Sequence, residues 1–191
     1  MARQPPPLHR VCTHDEAREL IAGEDKFWIA RCGCREAKGT CRHSRHDLCL
    51  YFIPEYPGAI AMRKVSRAFV DAARAHALER QLVPRPFRDE TDFDRTVGVC
   101  FCCDDCCGYF LDPSEPCAKG KLVERTVLAE CTDCGACAEV CHFGAKTMRD
   151  GKLKIANGKC YGCGLCVPVC PTECVSMVPR TRDAGRAARR P

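Results

Sequence analysis

CTDCGACAEVC at residues 131–141 and CYGCGLCVPVC at residues 160–170 are two copies of one pattern, C-x2-C-x2-C-x3-C. Three cysteines spaced in this way lie on one tight loop, which can wrap a metal centre and direct backbone N–H groups at its sulfur ligands. Gly135 and Gly164 follow the second cysteine of each copy and permit a close approach of the backbone. A segment of about 50 residues buries too little apolar surface to fold unaided. Bound metal therefore has to replace much of its core.

The doubled pattern resembles the bacterial two-cluster ferredoxin, in which the fourth cysteine of each run binds the cluster of the other run. The resemblance implies two [4Fe-4S] clusters with crossed ligands. A zinc ribbon is the competing interpretation, but its paired C-x2-C motifs supply four ligands per ion, which two runs of four cysteines fit poorly. Cys174, beyond the motif, is expected to be a small buried residue. The implied ligands are Cys131, Cys134, Cys137 and Cys170 for cluster 1, and Cys160, Cys163, Cys166 and Cys141 for cluster 2.

Cysteine dominates the composition, with 20 cysteines among 191 residues. In a short secreted chain this density would indicate a disulfide scaffold. The first residues, MARQPPP, lead into charged sequence without the apolar segment of a secretion signal. No run approaches the ~18 apolar residues that a membrane span needs. We therefore expect a cytoplasmic, metal-loaded chain with no membrane span.

The net charge of +5 is unevenly distributed, because residues 180–191 hold five arginines and one aspartate, a net of +4. The remainder of the chain is close to neutral. It therefore lacks the basic face that indicates nucleic-acid binding, and we expect no nucleic-acid partner. The basic end is expected to be a solvated, disordered tail.

A second set of cysteines lies in the N-terminal half, where Cys32, Cys34, Cys41 and Cys49 are spaced C-x-C-x6-C-x7-C. Four thiolates within 18 residues can surround one metal centre, and disulfides are disfavoured in a reducing cytosol. We expect these four to be the main ligands of a further centre. Two neighbouring histidines are alternative ligands, and three arginines could offset the charge of the thiolates. These neighbours are His43, His46, Arg35, Arg42 and Arg45.

A third set is packed into residues 100–107, CFCCDDCC, and provides candidate further ligands. Side chains of adjacent cysteines diverge on an extended chain, so one small ion rarely binds both. Some of the five therefore complete the first site and others face a second site. A redox-active C-x2-C pair at Cys103 and Cys106 is disfavoured because no βαβ pattern surrounds it. The five are Cys100, Cys102, Cys103, Cys106 and Cys107.

Local signals predict a small α+β domain folded around metal. Thr13 and Glu16 form a capping box that opens a helix, and Phe27–Ala30 is a short apolar strand. Ser66 begins a second helix that runs to about Leu82, where prolines end it. A second strand, Val97–Val99, leads into the third cysteine set. We expect a disordered leader at 1–10, a cysteine-rich metal-binding domain at 11–125, a 2[4Fe-4S] ferredoxin domain at 126–179 and a disordered tail at 180–191.

The segments CGCREAKGTC at 32–41 and CFCCDDCC at 100–107 resemble a cysteine-rich module of predicted iron–sulfur proteins of anaerobic metabolism. Together with the ferredoxin pattern, this favours an electron carrier or subunit with one or two additional [4Fe-4S] clusters. Its expected partner is a redox protein or a larger oxidoreductase complex. Two alternatives stay open: a reductase whose N-terminal cluster is catalytic, and a ferredoxin subunit with a zinc-stabilised docking domain. No acid–base constellation identifies catalytic residues.

Overall fold

The computed structural model describes residues 6–45, 47–112 and 115–181. They form two compact units, with the boundary between Ala118 and Lys119. This boundary precedes the domain end expected at residue 125, because the strand Leu122–Thr126 pairs within the C-terminal unit. Residues 1–5 of the expected leader and 182–191 of the expected tail lie outside the described residues, whereas His9–Arg10 form a short strand.

The N-terminal unit mixes helices with one sheet, which is consistent with the predicted α+β class. Within its described residues, the strands are β1 (His9–Arg10), β2 (Phe27–Arg31), β3 (Cys49–Tyr51), β4 (Ile60–Val65), β5 (Val83–Arg88), β6 (Thr96–Cys102) and β7 (Cys117–Ala118). The helices are α1 (His14–Ala22), α2 (Gly33–Lys38), α3 (Arg67–Glu79) and α4 (Gly108–Leu111). None of the helices described in the whole chain is both long and apolar enough to cross a membrane.

The two longer helices begin where the sequence predicts. Thr13 caps α1 through a complete capping box with Glu16, and Ser66 caps α3. Helix α3 ends at Glu79, three residues before the predicted end, because the chain turns through a positive φ at Gln81. Leu78, in the last turn of α3, is 40% exposed.

The strands form one sheet in the order β4-β2-β3-β6-β5-β1-β7. Its pairings are antiparallel apart from the parallel pair β1 and β7. In register, Cys49 of β3 lies opposite Cys100 of β6, and Cys100 also lies opposite Arg85 of β5. Side chains alternate between the faces of a sheet. These three residues therefore share one face with Cys102, while Phe101 points to the other.

Strand β5 is not predicted by the sequence, because Pro84 and Pro86 are typical of residues that end a helix. A proline is tolerated in a strand where its missing N–H faces a weakly paired side. Here that side faces the two-residue strand β1: the Pro84 carbonyl accepts from the Cys12 N–H, and the Arg88 N–H donates to Leu8. Strand β6 on the opposite side is paired along the length of β5.

The core lies on both faces of this sheet. Helices α1 and α3 cover the face that carries Phe101, burying Ala17, Ile21, Val70, Ala73 and Ala77 against it. Cys103 and Cys106 belong to the same buried cluster. The opposite face carries a second cluster that includes Cys49, Tyr51 and Phe87, with Cys32 and Cys100 packed against it. The cysteines are therefore part of the core on each face.

The C-terminal unit is built from two strand pairs around the cysteine runs. Its elements are β8 (Leu122–Thr126), α5 (Ala136–Glu139), β9 (Lys146–Arg149), β10 (Lys152–Ile155), a 3-10 turn (Asn157–Lys159) and β11 (Val175–Pro179). Strand β8 precedes the first run and β11 follows the second. Their antiparallel pairing, from Val175 opposite Thr126 to Pro179 opposite Leu122, brings the two ends of the unit together.

Gly98 gives a test of how tightly the sheet is packed. A Cβ added there would lie 2.2 Å from Cζ of Phe87 and 2.4 Å from the Leu50 carbonyl oxygen. We expect Gly98→Ala to destabilise the N-terminal unit by about 1–3 kcal/mol, because the Leu50 backbone cannot move without disturbing the sheet. Thermal unfolding under anaerobic conditions measures this. Gly23→Ala is the control, since its Cβ would meet ordinary contacts at 3.6 Å. Equal melting temperatures for the two variants would contradict the prediction.

Candidate metal centres

A cavity in the C-terminal unit is lined by cysteines from both repeats. Cys131, Cys134 and Cys137 come from the first repeat, and Cys170 is the last cysteine of the second. Leu153 and Val175 provide apolar wall, and Thr132, Asp133 and Thr172 also line the cavity. The four cysteines expected to hold cluster 1 thus face one cavity.

A second cavity has the reciprocal composition. Cys160, Cys163 and Cys166 of the second repeat line it together with Cys141, the last cysteine of the first repeat. Lys146 also lines it, and the Lys146 backbone N–H donates to the Cys141 sulfur at 3.4 Å. The four cysteines expected to hold cluster 2 therefore also face one cavity.

The spacing of these eight thiols suits a group larger than a single ion. A set of three or more candidate ligand atoms that all lie within 4.8 Å of one another occurs once among the described residues, in the N-terminal unit. No three of the described C-terminal thiols lie that close together. A single ion would draw its thiolates closer together than the C-terminal ones are. A cubane holds its four thiolates around a core of iron and sulfide. The donor chemistry therefore fits one [4Fe-4S] cluster in each cavity, and the sulfurs are spaced more widely than a single ion requires.

The glycines of the two repeats are needed for their backbone conformation. Gly135 has φ of 84° and Gly164 has φ of 76°, the left-handed region that other residues rarely adopt. A Cβ on Gly135 would meet only Met148, at 3.5 Å. The turn of the cysteine loop therefore requires glycine at this position.

A buried ion pair lines the second C-terminal cavity. Lys146 Nζ is 2.7 Å from Glu124 Oε2 and donates to Thr126 Oγ1 at 2.6 Å. Burial alone would lower the pKa of Lys146. The hydrogen bond and charge of Glu124, together with the sulfurs of Cys166 and Cys137, raise the pKa above its ordinary value instead. One cation is therefore held near a cysteine of each cavity.

Cys174 is buried, as its sequence position predicted, and it lines the first cavity. Its sulfur lies 3.5 Å from the sulfur of Cys170. The cavity expected to hold cluster 1 thus contains a fifth thiol next to the cysteine that comes from the other repeat.

In the N-terminal unit the cysteines fall into two groups. The sulfurs of Cys49 and Cys100 are 3.7 Å apart. Cys32 hydrogen-bonds with Cys34 and Cys49. Cys107 hydrogen-bonds with Cys34 and Cys102. We call this connected set the six-thiol group: Cys32, Cys34, Cys49, Cys100, Cys102 and Cys107.

Arg85 is the buried cation of the six-thiol group, and the sequence did not identify it. Its guanidinium lies 3.0 Å from the sulfur of Cys107 and 3.8 Å from that of Cys102. Burial would lower the pKa of Arg85, but the charges of these two sulfurs raise it, so the side chain stays protonated. The alternating pattern of Val83–Phe87, with an arginine between two prolines, is the sequence feature from which Arg85 could have been identified.

The second group consists of Cys41, Cys103 and Cys106, whose sulfurs all lie within 4.8 Å of one another. The structure therefore brings Cys32, Cys34 and Cys49 together but groups Cys41 with part of the third cysteine set. His43, an alternative ligand in sequence, is 2.9 Å from the Asp104 carboxylate, and His46 lies outside the described residues. The two remaining N-terminal cysteines are Cys12, buried in the core, and Cys117, which hydrogen-bonds with Arg85.

The three arginines expected to offset thiolate charge have different partners. Arg35 is buried and hydrogen-bonds with the Cys41 sulfur. Arg42 pairs with Asp104 and Asp105, and Arg45 pairs with Asp47. Arg35 therefore meets the expectation by direct contact with sulfur, whereas Arg42 and Arg45 pair with carboxylates.

Comparison with known proteins identifies the C-terminal repeats. Residues 130–174 match the family model of the 4Fe-4S dicluster domain. This agrees with the resemblance to two-cluster ferredoxins and with the two cysteine-lined cavities. No solved structure gives a significant match to this chain.

Several curated proteins are similar to part of this chain. The archaeal-type glutamate synthase [NADPH] of Thermotoga maritima is 36% identical over 66 residues, covering 31% of this chain and 13% of that protein. One subunit of an ion-translocating oxidoreductase complex from Methanosarcina acetivorans is 32% identical over 59 residues, covering 31% and 22%. One subunit of the Na(+)-translocating ferredoxin:NAD(+) oxidoreductase complex from Acetobacterium woodii is 40% identical over 54 residues, covering 28% and 16%. The chain thus spans less than a quarter of the length of these relatives.

The buried pair Lys146–Glu124 gives a second prediction. Glu124→Gln leaves Lys146 charged and buried without its carboxylate, and breaking a buried pair in this way costs about 3–5 kcal/mol. The double variant Glu124→Leu/Lys146→Met removes both charges and should recover most of that loss. Anaerobic thermal unfolding of the iron-loaded chain compares the two. If the single variant is as stable as the double, the ion pair does not stabilise this unit.

Proposed function

Starting from the 4Fe-4S dicluster domain at residues 130–174, we propose that this chain relays single electrons through two [4Fe-4S] clusters and at least one further iron–sulfur centre in its N-terminal unit. An iron–sulfur electron-transfer role is supported by the family match and by the oxidoreductase relatives. The observation that carries the proposal is the pair of cavities, each lined by three cysteines of one repeat and one of the other.

The lining of these cavities supports a ligand set for each C-terminal cluster. Cluster 1 is assigned to Cys131, Cys134, Cys137 and Cys170, and cluster 2 to Cys160, Cys163, Cys166 and Cys141. The crossed assignment is supported by Cys170 lining the cavity of the first repeat and Cys141 that of the second. Each cluster, when bound, accepts and releases one electron at a potential that its surroundings set.

The protein's own contribution is charge and the exclusion of water. Leu153 and Val175 form apolar wall in the first cavity, and Val140 and Met177 do so in the second. Lys146 lies near a sulfur of each cavity, where its positive charge favours the more negative, reduced state of both clusters. Its partner Glu124 offsets part of that effect.

The further centre is assigned to the six-thiol group. Thiols from two distant parts of the chain meet there on one face of the sheet, and Arg85 supplies a buried positive charge beside them. Thiolate ligation of iron places negative charge in a buried region, which is favourable when a cation is already held in contact. These features support a metal centre with at least four sulfur ligands.

The partner is proposed to be a redox protein or a larger oxidoreductase complex. Two relatives are named as subunits of oxidoreductase complexes, and they are similar to this chain over 31% and 28% of its length. A domain that is shared while the rest of each protein differs is consistent with an electron-transfer module attached to different partners.

The crossed ligands can be tested by combining variants. Cys174 lies close enough to Cys170 to replace it, so the test variant is Cys170→Ala/Cys174→Ala, with Cys174→Ala alone as the control. We expect the double variant to lose about four irons and the control to lose none. Iron and acid-labile sulfide analysis of anaerobically purified protein measures this.

Background variants identify which cluster is lost. Adding Cys170→Ala/Cys174→Ala to Cys134→Ala should remove no further iron, because both changes affect cluster 1. Adding it to Cys163→Ala should remove both clusters. The opposite pattern would mean that Cys170 belongs to the cluster of its own repeat.

Electron counting tests the function as a whole. The chain without substitutions should contain about 12 irons and take up about three electrons in an anaerobic reductive titration, one for each centre. Replacing Cys32, Cys34 and Cys49 together by serine removes half of the six-thiol group and should reduce these values to about eight irons and two electrons. Cys117→Ser, in the same unit, should change neither value. If the unsubstituted chain held about eight irons and took up about two electrons, the third centre would be contradicted. If it took up no electrons reversibly, the relay would be contradicted.

A further inference from the structure

Cys41, Cys103 and Cys106 form a compact trio that the two dicluster sites and the six-thiol group do not use. Their sulfurs are 3.6 Å apart between Cys41 and Cys103, 3.6 Å between Cys41 and Cys106, and 3.4 Å between Cys103 and Cys106. Cys103 and Cys106 are buried and Cys41 is half-buried. We call this set the three-thiol site.

These distances match ligation by one ion. Zinc–thiolate bonds of about 2.3 Å in tetrahedral geometry separate the sulfurs by about 3.8 Å. The dicluster cysteines are spaced more widely: no three of them lie within 4.8 Å of one another in the described residues. The three-thiol site therefore has the dimensions of a mononuclear centre and not of a cubane.

The local chain has the form of a zinc knuckle. Cys103 and Cys106 are spaced C-x2-C and enclose a turn between β6 and α4. Backbone N–H groups of Asp105 and Cys106 point at the Cys103 sulfur. Those of His43 and Ser44 point at the Cys41 sulfur. Such N–H groups stabilise a metal-bound thiolate. C-x2-C turns are the common building block of structural zinc sites.

Ion pairs hold Cys41 against the knuckle. Lys38 Nζ is 2.6 Å from the Asp105 carboxylate and donates to the Asp105 carbonyl at 2.7 Å. The Arg42 N–H donates to Asp105 Oδ2 at 3.1 Å, and His43 Nε2 is 2.9 Å from Asp104 Oδ1. The two aspartates inside the C-x2-C turn thus bind residues on both sides of Cys41.

Arg35 completes the electrostatics of the site. It is 1% exposed, donates to the Phe101 carbonyl at 2.8 Å and hydrogen-bonds with the Cys41 sulfur. A divalent ion with three thiolates carries one net negative charge, which the guanidinium neutralises. The Nε of Arg35 is buried without a hydrogen-bond partner, so its pairing with negative charge depends on the nearby sulfur.

We propose that Cys41, Cys103 and Cys106 bind a single zinc ion that is separate from every iron–sulfur centre of the chain. A fourth ligand, from the protein or from water, completes the tetrahedron. Each thiol loses its proton on binding. The ion joins the loop after α2 to the turn after β6, two segments about 60 residues apart, and so provides the cross-link that a small core lacks.

The test uses the full chain, purified anaerobically with its iron and analysed for zinc and iron together. We expect one zinc per chain, with zinc-edge X-ray absorption showing sulfur neighbours at about 2.3 Å. Cys103→Ser and Cys106→Ser should each lose that zinc while keeping the dicluster iron. Cys117→Ser, a control in the same unit, should keep both metals.

A rescue variant separates ligation from misfolding. Cys106→His retains a zinc-binding side chain, so it should keep the zinc and add a nitrogen neighbour at about 2.0–2.1 Å. Three outcomes would overturn the proposal. They are iron with acid-labile sulfide at this site, no zinc in the unsubstituted chain, and full zinc retention in Cys103→Ser. These outcomes leave the iron and electron counts of the dicluster domain unaffected, so the zinc site and the proposed function can fail separately.

Discussion

Contact between buried positive charge and cysteine sulfur is the interaction that organises the described part of this protein. Its three buried cations, Arg35, Arg85 and Lys146, each lie close to cysteine sulfur, and each has a pKa above its ordinary value. Taking a cation out of water costs several kcal/mol unless a negative partner accompanies it. In the proposed centres, metal-bound thiolates supply that negative charge for Arg35 and add to the carboxylates of Glu115 and Glu124, which pair with Arg85 and Lys146. The arginines and the lysine are then as much a part of each site as the cysteines.

Strand geometry distributes the sulfur atoms between the sites. Cys100 and Cys102 share a face of β6 with Cys49 and Arg85 opposite them, while Cys103 follows the end of the strand and enters the cluster on the other face. A run of five cysteines in eight residues is thus divided by the alternation of side chains. One part joins the six-thiol group and the other joins Cys41, which is the reason that the N-terminal unit has room for two proposed centres of different nuclearity.

The C-terminal unit achieves a similar separation with loops. Each repeat supplies three cysteines to its own cavity and the fourth to its neighbour's, so neither cavity is complete without both repeats. Pairing of β8 with β11 closes the unit, and Arg180 adds to this closure by donating to the carbonyls of Leu122 and Cys160. Electron transfer between two clusters requires that they stay close and at constant separation. Reciprocal ligation, as proposed for this chain, provides this without a large apolar core.

The dicluster domain could be predicted from the sequence, because the first three cysteines of each run lie on one short loop. The crossing of the fourth cysteine to the other run was implied by the resemblance to two-cluster ferredoxins. The starts of α1 and α3 were equally predictable, since capping by Thr13 and Ser66 is a local interaction. The grouping of the N-terminal cysteines could not be predicted in this way. Cys49 meets Cys100, and Cys41 meets Cys103, through strand pairing and ion pairs between segments that are distant in sequence.

The N-terminal grouping could not be predicted because spacing along the chain does not say which face of a sheet a residue occupies. That face is fixed only when the pairing of the strands is known. The proline-containing strand β5 illustrates this, because its prolines are compatible with a strand only when the weakly paired side meets a neighbour as short as β1. Arg85, the buried cation of the six-thiol group, was missed together with that strand. Its place beside Cys102 and Cys107 depends on the pairing of β5 with β6, which only the folded chain establishes.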